Sequence, residues 1–228
     1  MHIEELENKI GYTFKDKRLI ELALTHSSYA NERKINKTEC NERLEFLGDA
    51  VLEIVSSDYL YKKFPDIAEG LLSKMRAFLV CEPSLYKCSK AFNLGEYILL
   101  GKGENACGGR EKPSVVSDAF EALIGAVYLD GGAEKAAQLI YKFILTESQL
   151  TEASMDDSKS RLQQIVQADK IKKTIIYNVV SEDGPEHDKS FCVEVLLDGV
   201  RYGLGHGHNK KSAEKDAAKL AIERLRNG

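Results

Sequence analysis

The spacing of apolar residues changes once along this chain, and that change constrains the fold more than any other feature. From Met1 to about Glu147, apolar residues recur every three or four positions, which is the period of an amphipathic helix. After about Ser158 the pattern shifts to short runs rich in Val, Ile, Tyr and Phe, which favour strands. We therefore predict an all-α domain followed by a small α+β domain.

Prolines and glycines separate the predicted helices of the first part, as residues that break helices should. The six helical segments are Lys15–Ala30, Asn41–Lys63, Ala68–Val80, Glu82–Phe92, Ser114–Leu129 and Ala133–Thr146. The second part has the predicted order α-β-β-β-α, and Asp198-Gly199 is a strong hairpin turn between its last two strands. Its elements are a helix over Ser160–Ala168, strands over Thr174–Val180, Ser190–Leu197 and Val200–Leu204, and a helix from about Lys210 to Arg226.

A polar, acidic stretch separates the two parts and contains little that could be buried, so it is typical of a linker. We expect a first domain at residues 1–148, a linker at 149–156 and a second domain at 157–228. Residues 1–155 carry 19 basic and 24 acidic side chains, whereas residues 156–228 carry 13 and 12. The acidic first domain would repel a polyanion unless its carboxylates hold cations that reverse the local sign.

The remaining composition narrows the class of protein. No apolar run approaches the roughly 20 residues that span a bilayer, and the N-terminus lacks the basic and apolar regions of a signal peptide. The five cysteines are scattered and form no CxxC pair, which favours free thiols. We expect a cytoplasmic protein without membrane contact.

Two predicted helices carry acids at helical spacing. Glu42, Glu45 and Asp49 are three and then four residues apart, so they share one face of their helix. Asp118 and Glu121 are three apart in a helix that is otherwise apolar. Acids at such spacing are often only a solvated face. However, partly buried carboxylates need a counter-charge, and hard oxygen ligands suit Mg²⁺, so the repeated pattern favours a metal site.

The segment NERLEFLGDAVL at Asn41–Leu52 resembles the signature of the bacterial ribonuclease III family. The resemblance continues, in order and with matching spacing, through LTHSSYANE (Leu24–Glu32), AEGLLSKMRA (Ala68–Ala77), LGKGE (Leu100–Glu104) and KPSVVSDAFEALIGAVYLDGG (Lys112–Gly132). It implies that Glu45, Asp49, Asp118 and Glu121 bind metal. Among these, Asp49 and Glu121 match the two acids that matter most for catalysis.

The same resemblance implies further roles. Glu42 and Glu69 match acids that line the cleavage site, and Phe46 matches an aromatic residue that inserts into the partner subunit of a homodimer. Gly48 leaves room for close approach of a neighbouring helix. Since His26 could be a general base or a hydrogen-bonded structural residue, both interpretations stay open, and we favour the structural one.

The implied activity is Mg²⁺-dependent hydrolysis of double-stranded RNA, which leaves 5′-phosphate and 3′-hydroxyl ends. Processing of precursor ribosomal RNA, structured messenger RNA and transfer RNA is the family expectation. Two alternatives stay open. One is a non-catalytic dimer that only binds double-stranded RNA, and the other is an RNA-modifying enzyme, for which the glycine-rich stretch Gly101–Gly109 is a weak candidate loop.

The second domain resembles the double-stranded RNA-binding domain through KSRLQQIVQ, GPEHDKSF and GHGHNKKSAEKDAAKLA. That resemblance implies contacts to RNA grooves and phosphates, since such domains read A-form shape more than sequence. The implied RNA-binding residues are Ser160, Gln163, Gln164, Gln167, Pro185, His187, Lys210, Lys211 and Lys215. We expect Asn209 to cap the last helix, and His206 and His208 to face solvent or RNA rather than a metal.

Overall fold

The computed structural model describes residues 3–34, 36, 38–156, 158–168, 173–185 and 189–227. The chain divides into two compact units, one of residues 1–67 and 76–150 and the other of residues 68–75 and 151–228. The first is built of helices, whereas the second has three strands flanked by helices. The predicted fold class is therefore confirmed. Within the described part of the chain, no helix has the length and apolar character needed to cross a membrane.

Helices account for the regular structure of the first unit, apart from short 3₁₀ turns at Lys90–Phe92, Leu94–Tyr97 and Gly109–Glu111. One helix, α5, begins in residues 68–75, which are grouped with the second unit. The helices are α1 (Ile3–Ile10), α2 (Lys17–Ala23), α3 (Ser27–Glu32), α4 (Glu42–Lys63), α5 (Glu69–Val80), α6 (Glu82–Ser89), α7 (Lys102–Ala106), α8 (Pro113–Gly131) and α9 (Ala133–Phe143).

The core of the first unit is built around α8, whose residues are apolar on nearly every side, and such a helix is stable only when surrounded. Helix α4 packs along α8. A Cβ atom on Gly48 of α4 would lie 1.8 Å from the backbone oxygen of Glu121, and one on Gly125 of α8 would lie 2.3 Å from that of Leu44. The two backbones are therefore in direct contact. This confirms the close approach predicted at Gly48.

The segment Lys15–Ala30, predicted as one helix, is two. Helix α2 ends at Ala23 and α3 begins at Ser27. Between them Thr25 forms an isolated parallel bridge with Leu99, and the imidazole of His26 accepts a hydrogen bond from the Ser28 amide at the start of α3. The prediction of a single helix was wrong because backbone pairing with a distant segment outweighs the local period.

The stretch predicted as a linker is not extended chain. It falls within α10 (Glu147–Asp156), where Leu150 and Ala153 are buried. A short helix with few apolar residues is marginal by itself, so burial of these two side chains supplies the stabilisation that propensity does not. The boundaries at 148 and 157 stay predictions.

The second unit contains α11 (Ser158–Ala168), β1 (Ile175–Asp183), β2 (Ser190–Leu197), β3 (Val200–Gly207) and α12 (Lys210–Asn227). The strands form an antiparallel sheet in the order β1-β2-β3. Asp198 and Gly199 both have positive φ, 49° and 81°, as the predicted tight hairpin between β2 and β3 requires.

Helix α12 lies close against β3 because the inward positions of that strand are glycines. A Cβ atom on Gly203 or Gly205 would approach the backbone of Ala217 to 2.1 Å. The start of the helix is fixed by a reciprocal cap. The backbone amide of Ser212 donates to Asn209 Oδ1 at 2.8 Å, and the backbone amide of Asn209 donates to Ser212 Oγ at 3.2 Å. The predicted N-cap at Asn209 is confirmed.

Candidate metal centre and RNA-binding face

Three of the predicted metal-binding acids lie together where α4 contacts α8. Glu45 belongs to α4, and Asp118 and Glu121 lie one turn apart on α8. Each offers a carboxylate oxygen, and these oxygens all lie within 4.8 Å of one another. Because the glycine contact between the two backbones brings the helices so close, acids that are far apart in sequence converge in one partly buried cluster.

The electrostatics of the cluster are unfavourable without a cation. Burial raises the pKa of Glu121 to about 8, and the charges of Asp49, Asp118 and Glu45 add to that effect. Burial likewise raises the pKa of Glu45 and of Asp118 above their usual ranges. A set of partly buried carboxylates with raised pKa values is the donor chemistry that a hard divalent cation such as Mg²⁺ stabilises. The residues therefore fit a metal ion.

The other predicted acids occupy different positions. Asp49 is exposed, one turn beyond Glu45 on α4, and lies outside the three-carboxylate cluster although its charge raises the pKa of Glu121. Glu42 is exposed one turn before Glu45 and adds to the raised pKa of that residue. Glu69 is exposed at the start of α5, where it accepts a hydrogen bond of 2.7 Å from the Ser73 hydroxyl. Asp49 and Glu42 thus lie at the rim of the cluster.

Two acids that influence the cluster, Glu53 and Glu82, were not identified from the sequence, whereas His26 was considered there as a general base or a structural residue. Glu53 of α4 adds to the raised pKa of Glu121 and is paired with Arg76 at 2.7 Å. Glu82, the first residue of α6, raises the pKa of Asp118, and His26 lowers it. The spacing of four residues from Asp49 to Glu53 could have indicated Glu53, whereas Glu82 and His26 approach only through tertiary packing.

Large apolar side chains are exposed along α4. Phe46 is 80% exposed, Tyr61 is 74% exposed and Ile54 is 68% exposed. Phe46 follows Glu45 directly, so the exposed ring lies on the helix that carries the cluster. A residue of the core would be buried, so Phe46 does not belong to the core of the single chain, and its interface role stays a prediction.

The predicted RNA-binding lysines begin helix α12. Lys210 and Lys211 are exposed in its first turn, and Lys215 is one turn further on. Gln163 on α11 and Pro185 after β1 are also exposed. The backbones of Ser160, Gln164 and Gln167 belong to α11, whereas their side chains and His187 lie outside the described residues.

His206 lies near the end of β3, and His208 follows that strand. His206 and His208 are both exposed. Among the described residues, the group of potential metal ligands contains only Glu45, Asp118 and Glu121.

Comparison with known proteins fits this arrangement of two units. A Ribonuclease-III-like family model matches residues 16–148, and a double-stranded RNA binding motif matches residues 158–225. The chain belongs to the ribonuclease III family. Ribonuclease 3 of Geobacillus kaustophilus is 48% identical over 226 residues, which are 98% of this chain and 91% of the relative. Ribonuclease 3 of Listeria monocytogenes is 46% identical over 223 residues, 97% of each chain.

Solved structures agree for the ribonuclease III domain. The nuclease domain of ribonuclease III from Campylobacter jejuni is 50% identical, with a TM-score of 0.59, and the match covers 63% of this chain and 96% of that one. A second structure of the same domain gives a TM-score of 0.58. The acidic cluster lies inside the ribonuclease III match, and the exposed lysines lie inside the RNA-binding match.

The raised pKa of Glu121 predicts how stability depends on pH in metal-free protein. A carboxyl group whose folded pKa is about 8, against an ordinary value of 4.5, contributes stability that is fully present below about pH 4.5 and is lost as the pH rises through about 8. We expect the melting temperature in EDTA to fall by several degrees between about pH 6.5 and about pH 8.5.

The matched control is Glu121→Gln, which keeps the shape and cannot ionise. Its melting temperature should depend much less on pH over the same interval, and at the upper pH it should exceed that of the parent. Calorimetric melting of both proteins measures the difference. Equal pH dependence in the two would contradict the burial of Glu121 among acids.

Proposed function

We propose that this chain is an endoribonuclease that hydrolyses double-stranded RNA with Mg²⁺ and leaves 5′-phosphate and 3′-hydroxyl ends. The observation that carries the proposal is the half-buried cluster of Glu45, Asp118 and Glu121, in a chain that also has a double-stranded RNA binding motif. We assign residues 1–148 to the catalytic domain, 149–156 to the connection and 157–228 to the RNA-binding domain.

In this proposal Glu45, Asp118 and Glu121 hold the cation, and Asp49 reaches it from the rim. A Mg²⁺ ion bound there would supply a Lewis acid that lowers the pKa of a water molecule and neutralises charge on the leaving oxygen. Glu121 would have to lose its proton to act as a ligand, so binding of the cation would release a proton below about pH 8. Glu42 and Glu69 line the path of the RNA strand.

The RNA-binding domain holds the duplex, because exposed lysines beside a capped helix N-terminus attract phosphates. Lys210, Lys211 and Lys215 bind the backbone, and α11 and the loop after β1 contact the grooves. The groove residues we assign are Ser160, Gln163, Gln164, Gln167, Pro185 and His187. A domain that recognises the A-form shape of RNA more than its sequence suits processing of ribosomal RNA precursors, structured messenger RNA and transfer RNA. A cytoplasmic location accords with the free cysteines Cys40, Cys81, Cys88, Cys107 and Cys192.

The test is to incubate the full chain with a perfect RNA duplex and map the ends of the products. Mg²⁺ should support cleavage of both strands, EDTA should abolish it, and the same strand without its complement should remain intact. Products with 3′-phosphate ends, or cleavage that persists in EDTA, would contradict the proposed chemistry.

The active form in this proposal is a homodimer, since one site per strand requires two copies related by a two-fold axis. Exposed apolar side chains on α4, led by Phe46, supply a surface that a second copy can cover. In ribonuclease III from Campylobacter jejuni, the nuclease domain has a structurally flexible region that is involved in dimer formation, which supports the same interpretation.

Replacing Phe46 with Glu should convert the dimer to a monomer in sedimentation at micromolar concentration. The ring is exposed in the chain, so the change should leave the melting temperature of the monomer nearly unaltered. Val200→Glu is the control, because Val200 is 56% exposed but lies in the second domain. A parent that sediments as a monomer, or a Phe46→Glu variant that stays dimeric, would contradict the assignment.

A further inference from the structure

One ammonium group of the second unit contacts two other elements at once. Lys159, in the first turn of α11, places its Nζ atom 2.6 Å from a carboxylate oxygen of Glu214 on α12. The same Nζ atom lies 4.5 Å from the centre of the Tyr177 ring on β1. The Lys159 side chain therefore joins α11, α12 and β1 at one point.

These three elements are the ones to which the proposed function assigns the RNA contacts. Gln163 lies on α11, one turn beyond the ammonium-bearing residue, and the phosphate-binding lysines begin α12. Strand β1 leads into the loop that contains Pro185. Leu162 of α11 shares a buried core with residues of α12, and Tyr177 packs against that core. The ion pair adds a polar connection to this apolar one, at the end of α11 where the helix begins.

The carboxylate of Glu214 is unfavourable for RNA binding if only its charge is considered. It lies one turn beyond Lys210 and directly before Lys215, so an unbalanced negative charge there would oppose the attraction of phosphates. The Glu214 side chain is 28% exposed and that of Lys159 is 40% exposed, so salt screens this pair less than a pair in open solvent. Lys159 balances the carboxylate, and its own ammonium group is held by Glu214.

We propose that Lys159 and Glu214 are positioning residues for RNA recognition, which hold the groove-contacting helix α11 at a fixed distance from the phosphate-binding helix α12. The inference rests on the proposed function, because it presupposes that the second unit binds double-stranded RNA. An A-form duplex is recognised by its shape, so the elements that contact its grooves and its phosphates must keep their own separation. Tyr177 extends the same constraint to β1.

Three variants of the full chain separate positioning from charge. Glu214→Gln removes the carboxylate charge, Lys159→Met removes the ammonium group, and the third variant combines both changes. If charge alone governed binding, Glu214→Gln would bind a duplex more tightly than the parent and Lys159→Met more weakly. The double variant would then bind like the parent, because the two charges cancel.

Positioning predicts a different pattern. Both single variants and the double variant should bind a perfect RNA duplex about threefold to tenfold more weakly than the parent, because each breaks the same pair. The slope of affinity against salt concentration should stay that of the parent, since no phosphate contact is lost. A gel shift in EDTA, which prevents the proposed cleavage, measures both properties, and thermal melting checks that each variant is folded at the assay temperature.

Two further variants are controls. Glu223→Gln removes a negative charge from an exposed position further along α12, so it should bind the duplex as tightly as the parent or slightly more tightly. Lys159→Arg keeps a cation that pairs with carboxylates and stacks on aromatic rings, so its affinity should stay within about twofold of the parent.

Unchanged or tighter binding by Glu214→Gln would overturn the inference, as would a double variant that binds like the parent. A salt slope lower by about one unit in Lys159→Met would overturn it too, because Lys159 would then bind a phosphate itself. A parent that binds no duplex would contradict the proposed function together with this inference, so the two failures are distinguishable.

Discussion

Replacing Glu121 with Gln should lower the single-turnover cleavage rate about a thousandfold or more, while duplex binding stays within about twofold of the parent. Glutamine keeps the size of the side chain and removes the negative charge that, in the proposed function, fixes the cation where charge develops in the reaction. In the proposed function, affinity for the duplex comes mainly from the lysines of α12, which belong to the other compact unit. Chemistry and binding should therefore respond to different residues.

The reciprocal variant is Lys210→Ala with Lys211→Ala. It should weaken duplex binding and reduce the salt dependence by about one unit of slope for each phosphate that is no longer neutralised. Cleavage at saturating RNA and low salt should stay close to that of the parent. A gel shift in Ca²⁺ and a single-turnover rate in Mg²⁺ measure the two properties separately.

The outcome for Glu121→Gln also decides between the two main accounts of the chain. If the variant cuts at close to the parental rate, the carboxylate cluster is not the metal centre. If the parent and the variant both bind the duplex and neither cuts it, the chain is better explained as a non-catalytic dimer that binds double-stranded RNA.

Gly48→Ala should be among the most destabilising single changes in the first unit. The added methyl would lie 1.8 Å from the backbone oxygen of Glu121, and a backbone atom cannot move aside as a flexible side chain can. Helices α4 and α8 would have to separate, at a cost of about 3 kcal/mol or more, which corresponds to roughly 6–12 °C in melting temperature. Because the clashing oxygen belongs to Glu121, the carboxylate cluster should open as well.

Gly70→Ala is the matched control, since a Cβ atom there would meet nothing within 4 Å. Alanine favours the helix over glycine, so that variant should be unchanged or more stable by up to about 1 kcal/mol. Thermal melting with and without Mg²⁺ measures both effects. If Gly48→Ala melts like Gly70→Ala and still responds to Mg²⁺, the two backbones are not as close as described.

Most of the helices and strands were predictable because their apolar spacing is regular and their ends carry strong signals. The hairpin at Asp198-Gly199 and the cap at Asn209 are determined by local chemistry and are found as predicted. The break between α2 and α3 was not predictable in this way, because the pairing of Thr25 with Leu99 involves a partner that no local pattern names.

In the candidate site, too, the features set by local spacing were predictable and those set by distant partners were not. Glu45, Asp118 and Glu121 could be named from helical spacing and family resemblance, and the structure brings their carboxylates together. Spacing could not show that Asp49 is exposed, because its burial depends on what covers α4. Nor could it show that Glu82 and His26 influence the pKa of Asp118, since both are distant from Asp118 in the sequence.

The bridge between Thr25 and Leu99 has a consequence for how the first unit folds during synthesis. Thr25 leaves the ribosome well before Leu99, and α8 is synthesised later still. Helix α4, with its acids and exposed rings, is therefore made before the helix against which it packs. Pairing between such distant segments costs loop-closure entropy before it returns any stabilisation. The nascent first half is therefore the stage at which this chain should depend most on chaperones, and a cation can protect it only after α8 has been made.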